Sequence, residues 1–189
     1  MAPTQTVSRD DAVLVLIDLQ CALADVMLRR DPVVATASLL ARVANALGMP
    51  VVVTRQYPRG LGETVPEIIE AAGPHEPVDK VSFSCLDEPA FRSRLESLGR
   101  RQIVLAGMET HICVVQTALA LIDQGFAVFV AADATCSRRD RDHDLALERL
   151  RASGAVVVTA ESVIYEALGR AGTPEFKAVL EFVKAQPAG

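Results

Sequence analysis

The sequence predicts an α/β fold, a six-stranded parallel sheet between two helix layers in a three-layer α/β/α sandwich. Three observations carry this expectation. The runs Val-Leu-Val-Leu-Ile at 13–17, Val-Val-Val at 51–53 and Val-Val-Val-Thr at 156–159 are continuously apolar. Strands covered on both faces read this way, whereas strands with one wet face alternate. Six such β-rich runs alternate with helical patterns, as parallel strands and their crossover helices do. Finally, Gly48, Gly99, Gly125 and Gly154 each stand at the end of a helical pattern, where a left-handed cap belongs.

Taken in order, the first strand is Ala12–Ile17, followed by a helix around Val33–Leu47 that Gly48 stops. Val51–Thr54 is the second strand, and a loop rich in Gly and Pro follows it. Val78–Val81 is the third, leading through Asp87 as N-cap into a helix around Glu88–Leu98. Gln102–Ala106 precedes a helix from about His111 to Gln124. Ala127–Ala131 precedes one from about Arg141 to Ser153, with Asp140 as its N-cap. Ala155–Thr159 is the sixth strand, and one or two helices close the chain.

At 189 residues the chain fits one domain, 1–189, able to bury a core without disulfides or metal. Hydrophobic residues make up 50% and aromatics only 4%, so the core is built from Val, Leu, Ala and Ile. The net charge is −5, and Arg138, Arg139 and Arg141 are interleaved with Asp140, Asp142 and Asp144. That pattern is a solvated helix start and offers no footprint for nucleic acid. The N-terminus lacks a signal-peptide layout and no apolar run reaches spanning length, so a cytoplasmic protein without a membrane partner is expected. Cys21, Cys85, Cys113 and Cys136 are widely spaced without C-x-x-C. This speaks against a disulfide framework or a zinc site and leaves most of them as small buried hydrophobes.

Motif elimination narrows the chemistry. No G-x-G-x-x-G follows a strand, and neither G-x-x-x-x-G-K-[ST] nor G-x-S-x-G occurs. His75, His111 and His143 are too dispersed for a metal cluster. Ligands of such folds bind beyond the carboxyl ends of strands, and Asp18, Lys80 and Cys113 fall there, after strands one, three and four. Cys113 opens an apolar helical stretch, where free N–H groups and the helix dipole favour a thiolate. Asp18 ends an otherwise apolar strand, and an acid there must be paired or functional. Such a set works without histidine: the carboxylate accepts the thiol proton while the lysine ammonium lowers the cost of both negative charges. Blander readings stand beside it, with Cys113 a core cysteine, Asp18 a turn cap and Lys80 a solvated side chain.

Asp18-Leu-Gln20, Lys80 with Ser82-Phe83-Ser84, and Gly107-Met-Glu-Thr-His-Ile-Cys113-Val together resemble the isochorismatase-like cysteine hydrolases nearly end to end. Thr54-Arg-Gln-Tyr-Pro-Arg-Gly-Leu-Gly62-Glu-Thr-Val-Pro-Glu67 and Ala132-Asp-Ala-Thr-Cys-Ser-Arg138 resemble the subgroup of isochorismatase-domain-containing proteins. The resemblance implies the sheet order 3-2-1-4-5-6 and a triad of Asp18 as general base, Lys80 as charge stabiliser and Cys113 as nucleophile. It further implies a cis peptide between Met108 and Glu109, with the backbone N–H groups of Glu109 and Cys113 aimed at a developing oxyanion. A homo-oligomer is also implied, to which the apolar stretches Val163–Leu168 and Phe176–Val183 contribute.

Departures from the family pattern sharpen the expectation. Nicotinamidases of this family carry Asp-x-His and further histidines after the second strand as metal ligands. Arg55-Gln-Tyr-Pro-Arg-Gly-Leu-Gly62 holds no histidine, so no metal or other cofactor is expected. Members that hydrolyse the isochorismate vinyl ether often lack the cysteine, so Cys113 favours acyl chemistry on a small-molecule amide through a thioester. Two readings compete: vinyl-ether hydrolysis led by Asp18, and a scaffold or regulatory protein with weak turnover. Leu23 stands where the family usually has an aromatic, giving an aliphatic pocket floor. Leu23, Tyr57, Phe83, Ser84, His111 and Ile112 are the candidate substrate-lining residues, and Arg55, Tyr57 and His111 face either the pocket or a neighbouring subunit. Cys21 and Cys85 line the pocket or pack, Cys136 packs, and Asp133 is a turn acid.

Overall fold

A computed structural model describes residues 6–185; the ends of the expected 1–189 domain, residues 1–5 and 186–189, lie outside the described residues. In chain order the elements begin β1 (Ala12–Ile17), α1 (Cys21–Ala24), α2 (Arg30–Ala46), β2 (Val51–Gln56), α3 (Pro58–Leu61), α4 (Pro66–Ala72) and β3 (Val78–Lys80). A 3₁₀ turn (Cys85–Asp87), α5 (Pro89–Leu98), β4 (Gln102–Met108), a π-helical turn (Thr110–Val114) and α6 (Val115–Asp123) follow. The chain closes with β5 (Ala127–Cys136), α7 (Asp140–Ala152), β6 (Val156–Val158), α8 (Ala160–Leu168) and α9 (Pro174–Lys184). All strand pairs are parallel, in the order β3-β2-β1-β4-β5-β6. The expected architecture and strand order hold.

Alternation along the strands supplies two cores. Leu14, Leu16, Val104 and Phe129 pack with Leu40 of α2, Ile68 of α4, Val163 of α8 and Val179 of α9. Val13, Val15, Ile17 and Leu105 point the other way, to Phe91 of α5, Leu121 of α6 and Leu150 of α7. Burying one such side chain fully contributes about 1.5–3 kcal/mol. Both faces of the central strands are therefore covered, which is why their sequences do not alternate in polarity.

Several boundaries differ from the expectation for identifiable reasons. The Gly/Pro loop after β2 folds into α3 and α4, because Pro58 and Pro66 open them at a position where a missing N–H is harmless. Strand β5 runs on to Cys136 through a bulge, its register jumping from Leu105–Val130 to Gly107–Thr135. Asp133 in that bulge accepts the Ala160 N–H at 2.8 Å, a turn acid at the start of α8. Asp87 and Asp140 do not cap: the N-caps are Glu88 and Arg139, without side-chain cap bonds. Glu88 turns away to accept from the Val81 N–H and the Ser82 N–H and hydroxyl, and Asp140 pairs with Arg29 at 2.8 Å. Among the described residues no helix is long and apolar enough to cross a membrane.

One contact positions everything that follows. Gly107 has φ 126°, and a Cβ there would lie 2.0 Å from the Ile17 carbonyl oxygen. Only glycine lets the ends of β1 and β4 meet this closely, which sets Asp18 beside the turn that carries Cys113.

Candidate active site

Asp18 leaves β1 with φ 53°, a left-handed conformation that aspartate tolerates better than most residues. Its Oδ2 lies 2.7 Å from Lys80 Nζ, and both side chains are fully buried. The hydroxyl of Thr54 donates to Asp18 Oδ1 at 2.7 Å. Strand β2 lies between β1 and β3, so its end separates the two charges by one strand and supplies polar groups to both. Lys80 Nζ also donates to Gln56 Oε1 at 2.5 Å and to the carbonyls of Ser82 and Phe83 at 3.3 Å each. Burial alone would depress the Lys80 pKa, but the Asp18 carboxylate holds it raised. Lys80 is an ammonium throughout the neutral range.

Cys113 sits in the π-helical turn with 4% of its surface exposed. Its thiol points to Gln56 Oε1 at 4.0 Å and lies within the field of the Asp18 carboxylate. Burial first, then the Asp18 charge, push the thiol far up, while Lys80 pulls the other way. The resting group is thus a neutral thiol. The thiolate expected at a helix start is not favoured here, because desolvation and a neighbouring carboxylate outweigh the dipole. A carboxylate placed near a neutral thiol can take its proton as the sulfur attacks.

The turn before Cys113 is held residue by residue from the β5–α7 connection. The Met108–Glu109 peptide is cis. Glu109, buried, accepts from the Arg138 N–H at 2.9 Å and from its Nε at 3.1 Å. Thr110 Oγ1 pairs with His143 Nδ1 at 2.8 Å, and His111 Nδ1 with Ser137 Oγ at 2.9 Å. Burial depresses the His143 pKa, so this ring is neutral near pH 7. The His111 ring is turned to Ser137.

The remaining candidates separate. Tyr57, 54% exposed, and Phe83, 53% exposed, stand at the surface beside the site segments. Arg55 is engaged by Asp79 at 2.7 and 2.9 Å and by Glu63. Ile112 packs against the cluster that contains Cys113. Ser84 is buried and its hydroxyl has no hydrogen-bond partner among the described residues. Leu23, expected as the pocket floor, packs against the other cluster, on the α2 side of the sheet. Cys21 is exposed, Cys136 buried. Cys85 is buried beside Thr54 and Thr117, its thiol pushed up to about 11 by burial and by Asp18. Among the described residues no three His, Cys, Asp or Glu side chains gather as a metal site. Sequence reasoning missed Gln20, Thr54, Gln56 and Thr117; for Thr54 alone, a polar side chain after the apolar run 51–53 was an available signal.

Residues 12–162 match the Isochorismatase domain family. The chain is 40% identical over 174 residues to isochorismatase domain-containing protein 2 of Bos taurus, covering 92% of this chain and 83% of that one. It is 37% identical over 177 residues to the secreted isochorismatase effector Isc1 of Phytophthora sojae, covering 92% and 84%. Among solved structures, the MAR1 ribonuclease of Caenorhabditis elegans superposes with a TM-score of 0.90 at 31% identity, over 97% of this chain and 95% of that one. YcaC of Pseudomonas aeruginosa gives 0.85 at 25% identity, over 96% and 93%. With the sheet order and the sequence match in agreement over most of its length, the chain belongs to the isochorismatase-like hydrolase family.

Proposed function

We propose that the protein is a metal-independent cysteine hydrolase that cleaves a small amide or related C–N bond through a thioester. The observation that carries this reading is the fully buried Asp18–Lys80 pair at 2.7 Å, whose carboxylate acts on the buried Cys113 thiol, with Gln56 Oε1 bonded to Lys80 and 4.0 Å from the sulfur. Asp18 takes the thiol proton as sulfur attacks the carbonyl carbon. Lys80 keeps its proton and offsets the negative charge, and the N–H groups of Glu109 and Cys113 bind the oxyanion. The proton on Asp18 passes to the leaving nitrogen. Water, deprotonated by Asp18, then attacks the thioester, releasing the acid and restoring the thiol. In support, the P. aeruginosa YcaC was solved with covalent acrylamide, an electrophile to which nucleophilic thiols add. The ribonuclease name of the C. elegans relative gains no support from a chain of net charge −5. The reading also takes the chain as one domain that works as a homo-oligomer in the cytoplasm, the assembly to be tested by sedimentation velocity.

The decisive experiment is a screen of small amides, ureides and hydroxamates with the wild type and Cys113→Ala. An acyl adduct on Cys113 and loss of turnover in the variant are expected. Full hydrolysis by Cys113→Ala refutes the reading. Turnover that survives Cys113→Ser but not Asp18→Asn moves the chemistry to acid catalysis by Asp18.

A further inference from the structure

Gln56 ends β2 with its side chain inside the site, and the chemistry above leaves it without a role. Its Oε1 accepts from Lys80 Nζ at 2.5 Å and stands 4.0 Å from Cys113 Sγ as acceptor for the thiol. Its Nε2 donates to the Val81 carbonyl at 2.9 Å. The amide therefore faces one way, because the reverse would set NH₂ against an ammonium and oxygen against oxygen. Its backbone is fixed as firmly. The Cα register of β1 with β2 ends at Leu16–Val53, and beyond it the Gln20 carboxamide acts as a surrogate strand. Gln20 Oε1 accepts the Gln56 N–H at 2.7 Å, and Gln20 Nε2 donates to the Gln56 carbonyl at 3.1 Å and to that of Gly62 at 2.7 Å. Gln20 is fully buried.

A carbonyl oxygen held there acts on both neighbours. As acceptor of the S–H it favours the protonated thiol. As acceptor of an ammonium N–H it keeps that hydrogen from the sulfur. The charged and titratable groups facing the sulfur are Asp18 beyond β1, Lys80 at the end of β3 and Cys85 in the 3₁₀ turn. Gln56 is a neutral group that touches both Lys80 and Cys113. We propose that Gln56 is a positioning residue, whose fixed carboxamide oxygen holds Lys80 against Asp18 and keeps the proton on Cys113 until Asp18 removes it. Its catalytic meaning rests on the cysteine-hydrolase reading, but its test reads the thiol directly.

The test is the iodoacetamide alkylation rate of Cys113 against pH, followed by peptide mass spectrometry with the exposed Cys21 as internal reference. Gln56→Glu sets a negative charge beside the sulfur and is expected to slow Cys113 at pH 8.5 about tenfold, one pKa unit. Gln56→Met removes the acceptor, frees an ammonium N–H for the sulfur, and is expected to speed Cys113 about threefold, half a pKa unit. Loosening of the structure alone would accelerate both variants. Changes of the same sign in both, or none relative to Cys21, overturn the proposal. If Gln56→Glu does not fold, an unchanged or slower rate in Gln56→Met overturns it alone. A wild type inert towards every amide defeats the proposed reaction, while the alkylation series still decides the role of Gln56.

Discussion

The Asp18–Lys80 pair is the energetic centre of the site, and a double-mutant cycle tests it. Both side chains have no exposed surface and their charges lie 2.7 Å apart. Lys80→Met keeps most of the buried stem but leaves the Asp18 carboxylate with the Thr54 hydroxyl and no cation. Breaking a buried pair in this way costs about 3–5 kcal/mol, because the remaining charge is uncompensated. Domains of this size have about 5–15 kcal/mol in hand, so the variant should fold but lose a large part of its margin. Asp18→Asn combined with Lys80→Met leaves two neutral groups and is expected to recover at least ~2 kcal/mol. Urea unfolding of the four proteins at pH 7 gives the coupling. The sign of its pH dependence follows from Lys80, whose folded pKa is raised. Stability from such a group is complete below the unfolded lysine value of about 10.4 and is lost only as pH rises through the folded value. The coupling should therefore be equal at pH 7 and pH 9. A Lys80→Met loss under about 1 kcal/mol, with additive single effects, would show that the two charges are not the buried unit described here.

Four other outcomes follow from single groups. Gly107→Ala sets a Cβ 2.0 Å from the Ile17 oxygen at φ 126° and is expected to abolish soluble expression or lower stability by more than about 4 kcal/mol. Gly48→Ala, with φ 68° and open space, should lose only about 1–2 kcal/mol by the same denaturation assay. The Cys85 thiol, pushed up to about 11 by burial, adds stability that is complete below its unfolded value of about 8.5 and drains as pH rises, ~3 kcal/mol by pH 11. Unfolding free energies at pH 7, 9 and 10.5 should fall less steeply in Cys85→Ala than in the wild type. His143, depressed by burial, adds stability present above about pH 6.5 and lost as pH falls through its folded value. Melting curves of His143→Gln should accordingly be flatter between pH 6.5 and pH 5 than those of the wild type.

The strands were readable because burial on both faces is written into residues 13–17 and 51–53 as unbroken apolar runs. Asp18 was readable for the converse reason, since a charge at the end of such a run demands a partner, whereas Lys80, which follows Asp79, was picked out by its strand end and by the family resemblance. Gln56 sends no such signal: a neutral amide at a strand end is unremarkable until the register of β2 between β1 and β3 sets it between Lys80 and Cys113. Leu23 came from a family position alone, and its side chain packs against the α2-side core from a four-residue helix whose path no sequence pattern announces. Asp87 and Asp140 satisfied a local capping rule but do not cap: Asp87 ends the 3₁₀ turn one residue before the N-cap Glu88, and Asp140 pairs with Arg29.

The thiol of Cys113 shows which scale of argument decides the chemistry. A helix N-terminus contributes about 0.3–1 kcal/mol to an adjacent anion, less than one pKa unit. Full burial moves an ionisable group by up to about 3–5 units in the opposite direction, and the Asp18 carboxylate adds to burial here. A local rule therefore points to Cys113 but gives it the wrong protonation state. The consequence is kinetic. If the reactive form were a free thiolate, kcat/KM would climb with each pH unit through 7–9, because the thiol titrates far above that range. With the proton held on sulfur and passed to Asp18 only during attack, kcat/KM should be flat through that range. Measured with any substrate the amide screen yields, a steady rise of kcat/KM from pH 7 to pH 9 would refute transfer to Asp18 within the attacking step.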